Sequence, residues 1–434
     1  MGSTGAVRLS AVDVFHLRLH QEMCRRGQAG NSCSLVLELD GRVDEVQLEA
    51  RARRAAEQVP ELRWRLGRNL RLQPAWRERS RLAAMPVTTH PLGPRESVLD
   101  ATTAWLDRPL AAGQTWQLRV LRGAESDAVV LKWSHPLADA RGGERLLSWL
   151  GQGRGSLPPP PERARRFSSI DDRVRRIEPG ERWAMLRSYR DHVLGIAEGA
   201  IASLDSVTGR RRPGRTRAVR LCIDRDRTSA FDRALRSRAG LSESHLLTYG
   251  AARLVDRALG THQVAVEQHT VVVPVSLDPA RGSDRMFGNN LTMMMLELSR
   301  EDLSDPDRAL GSLAAQRREI IRQRLDLAFL VALDTARYMP GPVYSWFSQR
   351  PFGGERMSVL VTHPGAWDID RFLGVRVRDA YPLPAVALPP GLQLVASRHD
   401  GRLSLTVSFV DTVIGTEQVR SLASDLEADV LDFA

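Results

Sequence analysis

The run Ser134-His135-Pro136-Leu137-Ala138-Asp139-Ala140 sets a histidine and an aspartate four residues apart, the first grouping in this sequence able to do chemistry. An imidazole takes up a proton near neutral pH, so His135 is a candidate general base. Asp139 is a candidate for fixing the loop that presents it, and Ser134 for touching substrate. Pro136 biases His135 away from helical backbone angles. The same spacing also arises by chance between purely structural residues, so its meaning rests on context. A second group, Gly288-Asn289-Asn290, precedes LTMMMLEL. An amide there, of Asn289 or Asn290, suits donation to a developing oxyanion. The bland reading is a loop tied by side-chain-to-backbone turns. Met293, Met294 and Met295 read mostly as adaptable core filler, with some lining a passage. Asp278, Arg281, Asp284 and Arg285 read as surface ion pairs. His245, His269 and His363 lack partners at useful spacing and read as structural, although the strand bearing His363 should approach the site. The sequence has no Walker, Gly-x-Gly-x-x-Gly or His-Glu-x-x-His motif, which removes nucleotide hydrolysis, dinucleotide redox and zinc-protease readings. Cys24, Cys33 and Cys222 have no metal-ligand spacing, and no metal site is expected. So sparse and odd a set also suits a reducing compartment rather than a disulfide framework.

Elements must hold these residues in place. Apolar spacing predicts a helix over 9–23, and alternation in SCSLVLELDG predicts a strand over 32–41. Residues 44–58 read as a helix with acids in its first turn, ended by Pro60. A hairpin with arms 116–121 and 128–133 runs straight into His135, and 141–150 reads as the start of a helix. His135 thus falls where a strand hands over to a loop, a common place for rigidly held chemistry. GQGRGSLPPPPERARR, 151–166, is an extended break, followed by a long helix at 181–204 and a second break at 209–217. This divides the chain into a first lobe, 1–150, a crossover, 151–217, and a second lobe, 218–434. In the second lobe, strands are predicted at 218–224, 266–277, 289–298, 357–363, 392–399 and 402–410, with helices at 227–238, 242–259, 305–325 and 416–430. The expected class is α/β (α+β), with many antiparallel hairpins.

A chain of 434 residues is too long for one ordinary core and comfortable for two, and 42% hydrophobic with 26% charged residues is ordinary globular usage. The net charge of +10 is almost wholly arginine, because Lys132 is the only lysine. Such a surface is either plain solvation or an attraction for anionic partners: a nucleotide-bearing thioester, an acidic carrier protein, a membrane surface. The arginine-rich stretches 163–176 and 210–217 are expected to be exposed. Aromatic residues at 6% and the lack of a recognition motif argue against nucleic acid. The start of the chain lacks a basic segment followed by a long apolar run, and no apolar stretch approaches the ~20 residues of a membrane span. A cytoplasmic location, with peripheral membrane contact at most, is the expectation.

Several segments, in order, carry a resemblance. RLSAVDVFHLRL at the start, LVLELDGRVDEVQLEARARRAAEQVPELRWRL at 35–66, RPLAAGQTWQLRVLRG at 108–123 and VVVPVSLDPARGSDRMFGNNLTMMMLEL at 271–298 resemble the chloramphenicol acetyltransferase-like superfamily. So do the stretches 357–365 and 392–411. That superfamily takes in condensation domains of nonribosomal peptide synthetases, wax ester synthase/diacylglycerol acyltransferases and polyketide-associated acyltransferases; the 271–298 segment leans toward the wax ester branch. The resemblance implies two similar lobes with a tunnel between them. It matches His135 to the second histidine of a His-His-x-x-x-Asp-Gly motif, the base that deprotonates an acceptor hydroxyl or amine as it attacks an acyl thioester. It matches Asp139 to an aspartate that pairs with an arginine and shapes the loop. The implied co-substrate is acyl-CoA or an acyl chain on carrier phosphopantetheine, with no permanently bound cofactor. The implied acceptor is a small-molecule or lipid alcohol or amine. Ser134 and Ala140 depart from the motif, which leaves two alternatives beside an acyltransferase: a free-standing condensation enzyme of a natural-product pathway, or an inactive binding or scaffold member of the same fold.

Overall fold

The computed structural model describes residues 6–69, 73–153, 155–161, 170–199, 201–208, 214–238, 240–264, 266–278 and 285–431. Two six-stranded sheets organise them, each with its own apolar core. In the first sheet the strands lie in the order Arg371–Phe372, Val375–Pro384, Ser32–Leu39, Asp127–Ser134, Trp116–Arg122, Val87–Pro91. All neighbours are antiparallel except the last pair. In the second sheet the order is Leu291–Ser299, Gln268–Ser276, Val359–Ala366, Leu392–His399, Arg402–Val410, Thr216–Ile223, with Val359–Ala366 parallel to both its neighbours. The architecture is therefore two mixed α/β lobes, as the alternation of strand and helix patterns led one to expect.

Asp127–Ser134 is buried along its whole length. Its unbroken AVVL run suits a central strand covered on both faces better than an alternating one. Trp116 and Trp133 face each other across the hairpin. Lys132, in the same strand, is also fully buried. Its ammonium donates to the Trp105 carbonyl at 2.8 Å and to that of Arg108, at the C-terminal end of the helix Val98–Leu106. A cation there meets the last carbonyls of the helix and the negative end of its dipole. Burial, with Arg119 nearby, pushes its pKa down to about 7.

The structure departs from the sequence-based picture at several places. The second lobe is not contiguous: Val375–Pro384 leaves it to pair with Ser32–Leu39 in the first sheet. Its prolines, Pro382 and Pro384, argue against a strand when read from sequence. They are accommodated because the flanking two-residue strand reaches only Val375 and Arg376, so the remainder keeps an open edge. The helix expected at 305–325 is found as Pro306–Arg322, and an unpredicted helix, Leu325–Ala336, follows it after a break at Arg324, whose φ is 55°. The long helix ends at Glu198 rather than 204, and a short one, Leu204–Thr208, follows. A small sheet of Val7–Arg8, Pro74–Glu78 and Trp64–Arg68 was not expected at all.

One crossing segment joins the lobes at the His135 loop. Met286 and Phe287, reached by the chain within the second lobe's stretch, pack into the first lobe's core. Gly288 then makes a one-residue parallel bridge with Ala138: its N–H donates to the Leu137 carbonyl at 2.7 Å, and its carbonyl accepts from the Asp139 N–H at 3.3 Å. Gly288 has φ 76°, the left-handed region that favours glycine. Gly142 is a second obligate glycine, since a Cβ there would stand 2.6 Å from the Met286 carbonyl oxygen.

Candidate active site

His135 follows directly on the end of Asp127–Ser134 and is held by its main chain on both sides. Its N–H donates to the Asn31 carbonyl at 3.1 Å, and its carbonyl accepts from the Asn289 side-chain amide at 2.9 Å. Burial lowers the imidazole pKa against the opposing pull of its own carbonyl, Asp139 and Asn289, so the ring is neutral at pH 7 and free to accept a proton. Ser134, buried one residue earlier, is fixed by its N–H to the Thr115 carbonyl at 2.8 Å.

A second imidazole, not singled out from sequence, lies flat on the first. The rings of His16 and His135 stack with centroids 3.6 Å apart and planes 11° from parallel. His16 is buried on the helix Ala11–Arg25, and burial, reinforced by His135, holds its pKa well below the ordinary histidine value. Its Nδ1 lies 3.3 Å from the Asn31 amide nitrogen, so Asn31 meets His16 with its side chain and His135 with its carbonyl.

The same helix reaches the site through Asp13, one turn before His16 and on the same face. Asp13 closes a capping box with Ser10. Its other oxygen accepts from the Asn289 N–H at 3.0 Å and from the Asn289 amide at 2.8 Å. Burial raises the Asp13 pKa, opposed by these bonds. This corrects the reading of Asn289 as an oxyanion donor. Both of its amide hydrogens are committed, one to Asp13 and one to the His135 carbonyl, so Asn289 positions the histidine loop instead. Asn290 gives one amide hydrogen to Asp278, its backbone N–H points to Asp139 at 3.3 Å, and its side chain lines the cleft between the lobes.

Asp139 caps the helix Ala140–Gly151, accepting from the Gly142 N–H at 2.8 Å. Its second oxygen accepts from Arg285 at 2.7 Å. Burial alone would raise its pKa, but Arg285 and the bonds from Gly142 and Asn290 hold the carboxyl below the ordinary range. Arg285 also pairs with Asp278 at 2.9 Å and donates to the Phe287 carbonyl at 2.7 Å. The surface reading of Asp278 and Arg285 is thereby overturned: Arg285 is 4% exposed and ties the crossing segment to the histidine loop. Arg281 and Asp284, from the same sequence group, lie outside the described residues. Ala140 opens the helix and is not among the positive-φ residues, so alanine there is compatible with the loop.

The other histidines divide. His245 belongs to a capping box with Ser242, and His269 sits 3.0 Å from Asp256, both structural. His363 walls a cleft between the lobes of about 940 Å³, along with Asp139, Arg141, Glu144, Asp278 and Asn290. A second, apolar chamber is walled by Phe15, the residue before His16. His135 itself walls neither; its loop reaches the cleft through Asp139, and its stacking partner His16 follows Phe15 of the chamber wall. Among the described residues no group of histidine, cysteine, aspartate and glutamate is arranged to hold a metal, and no helix is long and apolar enough to cross a membrane.

No family model and no curated protein sequence matches the chain. Solved structures do. The first condensation domain of the CDA synthetase is 14% identical, with 100% of this chain and 97% of that one aligned at a TM-score of 0.71. The trichothecene 15-O-acetyltransferase of Fusarium sporotrichioides is 11% identical over 98% of this chain and 95% of its own, TM-score 0.67. The wax ester synthase/diacylglycerol acyltransferase of Marinobacter aquaeolei VT8 is 16% identical over 98% of both, TM-score 0.60. At these identities the likeness establishes the fold: the two-lobed chloramphenicol acetyltransferase-like architecture along the full chain.

Proposed function

We propose that this chain, on the fold it shares with condensation domains and acyltransferases, moves an acyl group from a thioester to a hydroxyl or amine, with His135 as the base. The observation that carries this reading is a neutral imidazole at a strand end, anchored by main chain on both sides where the two lobes meet. In the reaction, His135 takes the proton from the acceptor O–H or N–H as its lone pair attacks the thioester carbonyl. The tetrahedral intermediate then collapses, the C–S bond breaks, and the imidazolium returns the proton to the leaving thiolate. Ester or amide and free thiol result, with no acyl-enzyme. Asp139, Arg285 and Asn289 act through the loop geometry and touch no reacting atom.

The donor is an acyl-CoA or an acyl chain on carrier phosphopantetheine, and the acceptor a small-molecule or lipid alcohol or amine. A related starter condensation domain, of rhizomide synthetase, has been crystallised with C8-CoA and a leucine thioester analogue, which supports a thioester donor. The full-length match to a condensation domain favours, as a second reading, a free-standing condensation enzyme using a carrier-bound donor. An epimerization domain shares the fold too, so fold alone does not set the reaction. The deciding experiment is mass spectrometry of the protein with a panel of acyl thioesters and acceptors. The expected result is product formation that falls roughly 10²–10⁴-fold in His135→Ala at equal fold content. Near-full activity in that variant ends the base-catalysis reading, and no product from any pair leaves the binding or scaffold role.

A further inference from the structure

The helix Ala11–Arg25 presents Asp13, His16 and His20 at i, i+3 and i+7, along one face. Each reaches the candidate base, two of them through an asparagine. Asp13 orients Asn289, whose amide donates to the His135 carbonyl at 2.9 Å. His20 accepts the Asn31 N–H at its Nδ1, 3.1 Å away, and the Asn31 carbonyl in turn accepts the His135 N–H. Between them, His16 covers the imidazole itself, ring on ring at 3.6 Å and 11° from parallel. The main chain of His135 is thus held at both ends by residues that this helix orients, and its side chain is held by the helix directly.

The charge state of His16 follows from its partner. The Asn31 side chain donates to the His16 carbonyl at 3.3 Å, and a carbonyl oxygen only accepts. The donor is therefore the amide nitrogen, and its second hydrogen faces the His16 Nδ1, also at 3.3 Å. Nδ1 must then be the bare nitrogen of the ring. Protonating it would set one N–H against another in a site that is 4% exposed. His16 stays neutral, and a proton taken from an acceptor resides on His135. The charged groups packed around the pair are Asp13 from the helix, Asp139 from the histidine loop, and Arg285 and Asp278 from the crossing segment. Asp13 bonds to Ser10 and Asn289, Asp139 to the Gly142 N–H and Arg285, and Arg285 also to Asp278. An imidazolium at His135 therefore has the π face of a neutral ring as its stacking partner, well inside the ~6 Å at which an aromatic face attracts a cation. Before the proton arrives that attraction is absent. A contact that strengthens as charge develops lowers the barrier rather than merely tightening the resting state.

We propose that His16 is a positioning residue for His135: it fixes the plane of the imidazole and stabilises the charge the base acquires with the acceptor proton, itself neither gaining nor losing one. This deepens the acyl-transfer reading and rests on it for the arrival of that proton during catalysis. The effect of His16 on the resting base needs no turnover. Imidazole nitrogen NMR titration of His135, in the full chain, tests it, with His135→Ala identifying the resonance. His16→Phe keeps a flat buried face, and His16→Leu keeps the burial without the face, so the two variants differ in the π contact. The His135 pKa should lie about one unit lower in His16→Leu than in wild type, and His16→Phe should recover most of that shift. Circular dichroism confirms the fold of each variant across the titration. On a substrate pair found with the thioester panel, kcat should fall roughly 3–10-fold in His16→Leu at unchanged KM, and recover in His16→Phe. Equal His135 pKa values in the Leu and Phe variants overturn the inference and leave acyl transfer standing. A lowered pKa in His16→Leu, with no product from any thioester, overturns acyl transfer and upholds the action of His16 on His135.

Discussion

His135 and His16 share a face at 3.6 Å, and two imidazoles so close cannot both carry a proton. One partner must stay neutral whenever the other is charged, and the deeper burial of His16 makes it the one that does. In His135→Ala that constraint disappears, and the His16 pKa should move up toward its ordinary value. Imidazole nitrogen NMR on both proteins checks this; identical His16 titration in the two would show the stack to be electrostatically silent. The pair also has a stability sign. Both folded pKa values lie below the unfolded ones, so the unfolded chain binds more protons below about pH 6.5. Wild type should therefore melt lower at pH 5.5 than at pH 7.5, and His16→Phe, which keeps a flat ring without the proton site, should narrow that gap.

At the scale of elements, the site is three pieces of main chain pinned together: the strand ending at Ser134, the helix that Asp139 caps, and the crossing segment around Gly288. Arg285 is the pin, reaching Asp139, Asp278 and the Phe287 carbonyl. Asp139→Asn keeps an adequate helix cap, so its cost comes from the buried ion pair. Because Asp278 still answers Arg285, we expect about 3 kcal/mol, the lower end for breaking a buried pair. The carboxyl is depressed in the folded state, so this contribution is present above its unfolded pKa and is lost as pH falls through the folded one. Thermal melts at neutral pH should show the loss. An unchanged melt with abolished turnover would make Asp139 a direct participant in the chemistry.

Across the whole molecule, the charge of +10 is spread over arginines, many of them engaged in ion pairs. Of the two stretches expected to be exposed, 163–169 and 210–213 lie outside the described residues, while Arg173, Arg175, Arg176 and Arg215 are exposed. If these arginines draw in an anionic thioester, salt should slow wild type more than an Arg173→Gln/Arg175→Gln/Arg176→Gln variant, with screening at ~8 Å under physiological salt. Identical salt dependence in steady-state rates would make them plain solvating surface. The sequence by itself determined what is local. The hairpin running into His135, the helix after it and the strands 392–399 and 402–410 follow from periodicity and turn residues, and those forces act between neighbours in the chain. The ordered motif segments were also enough to point to the two-lobed fold. Only the tertiary structure decided what depends on residues far apart in sequence. It brought Arg285 to Asp139 across 146 positions, laid His16 on His135, and turned Asn289 from oxyanion donor to loop anchor. It also carried Val375–Pro384 into the other lobe's sheet. None of these has a local signature: an arginine among exposed-looking charges and a histidine on an amphipathic helix read as ordinary surface or core. Their partners are fixed only when two sheets pack and one short segment crosses between them.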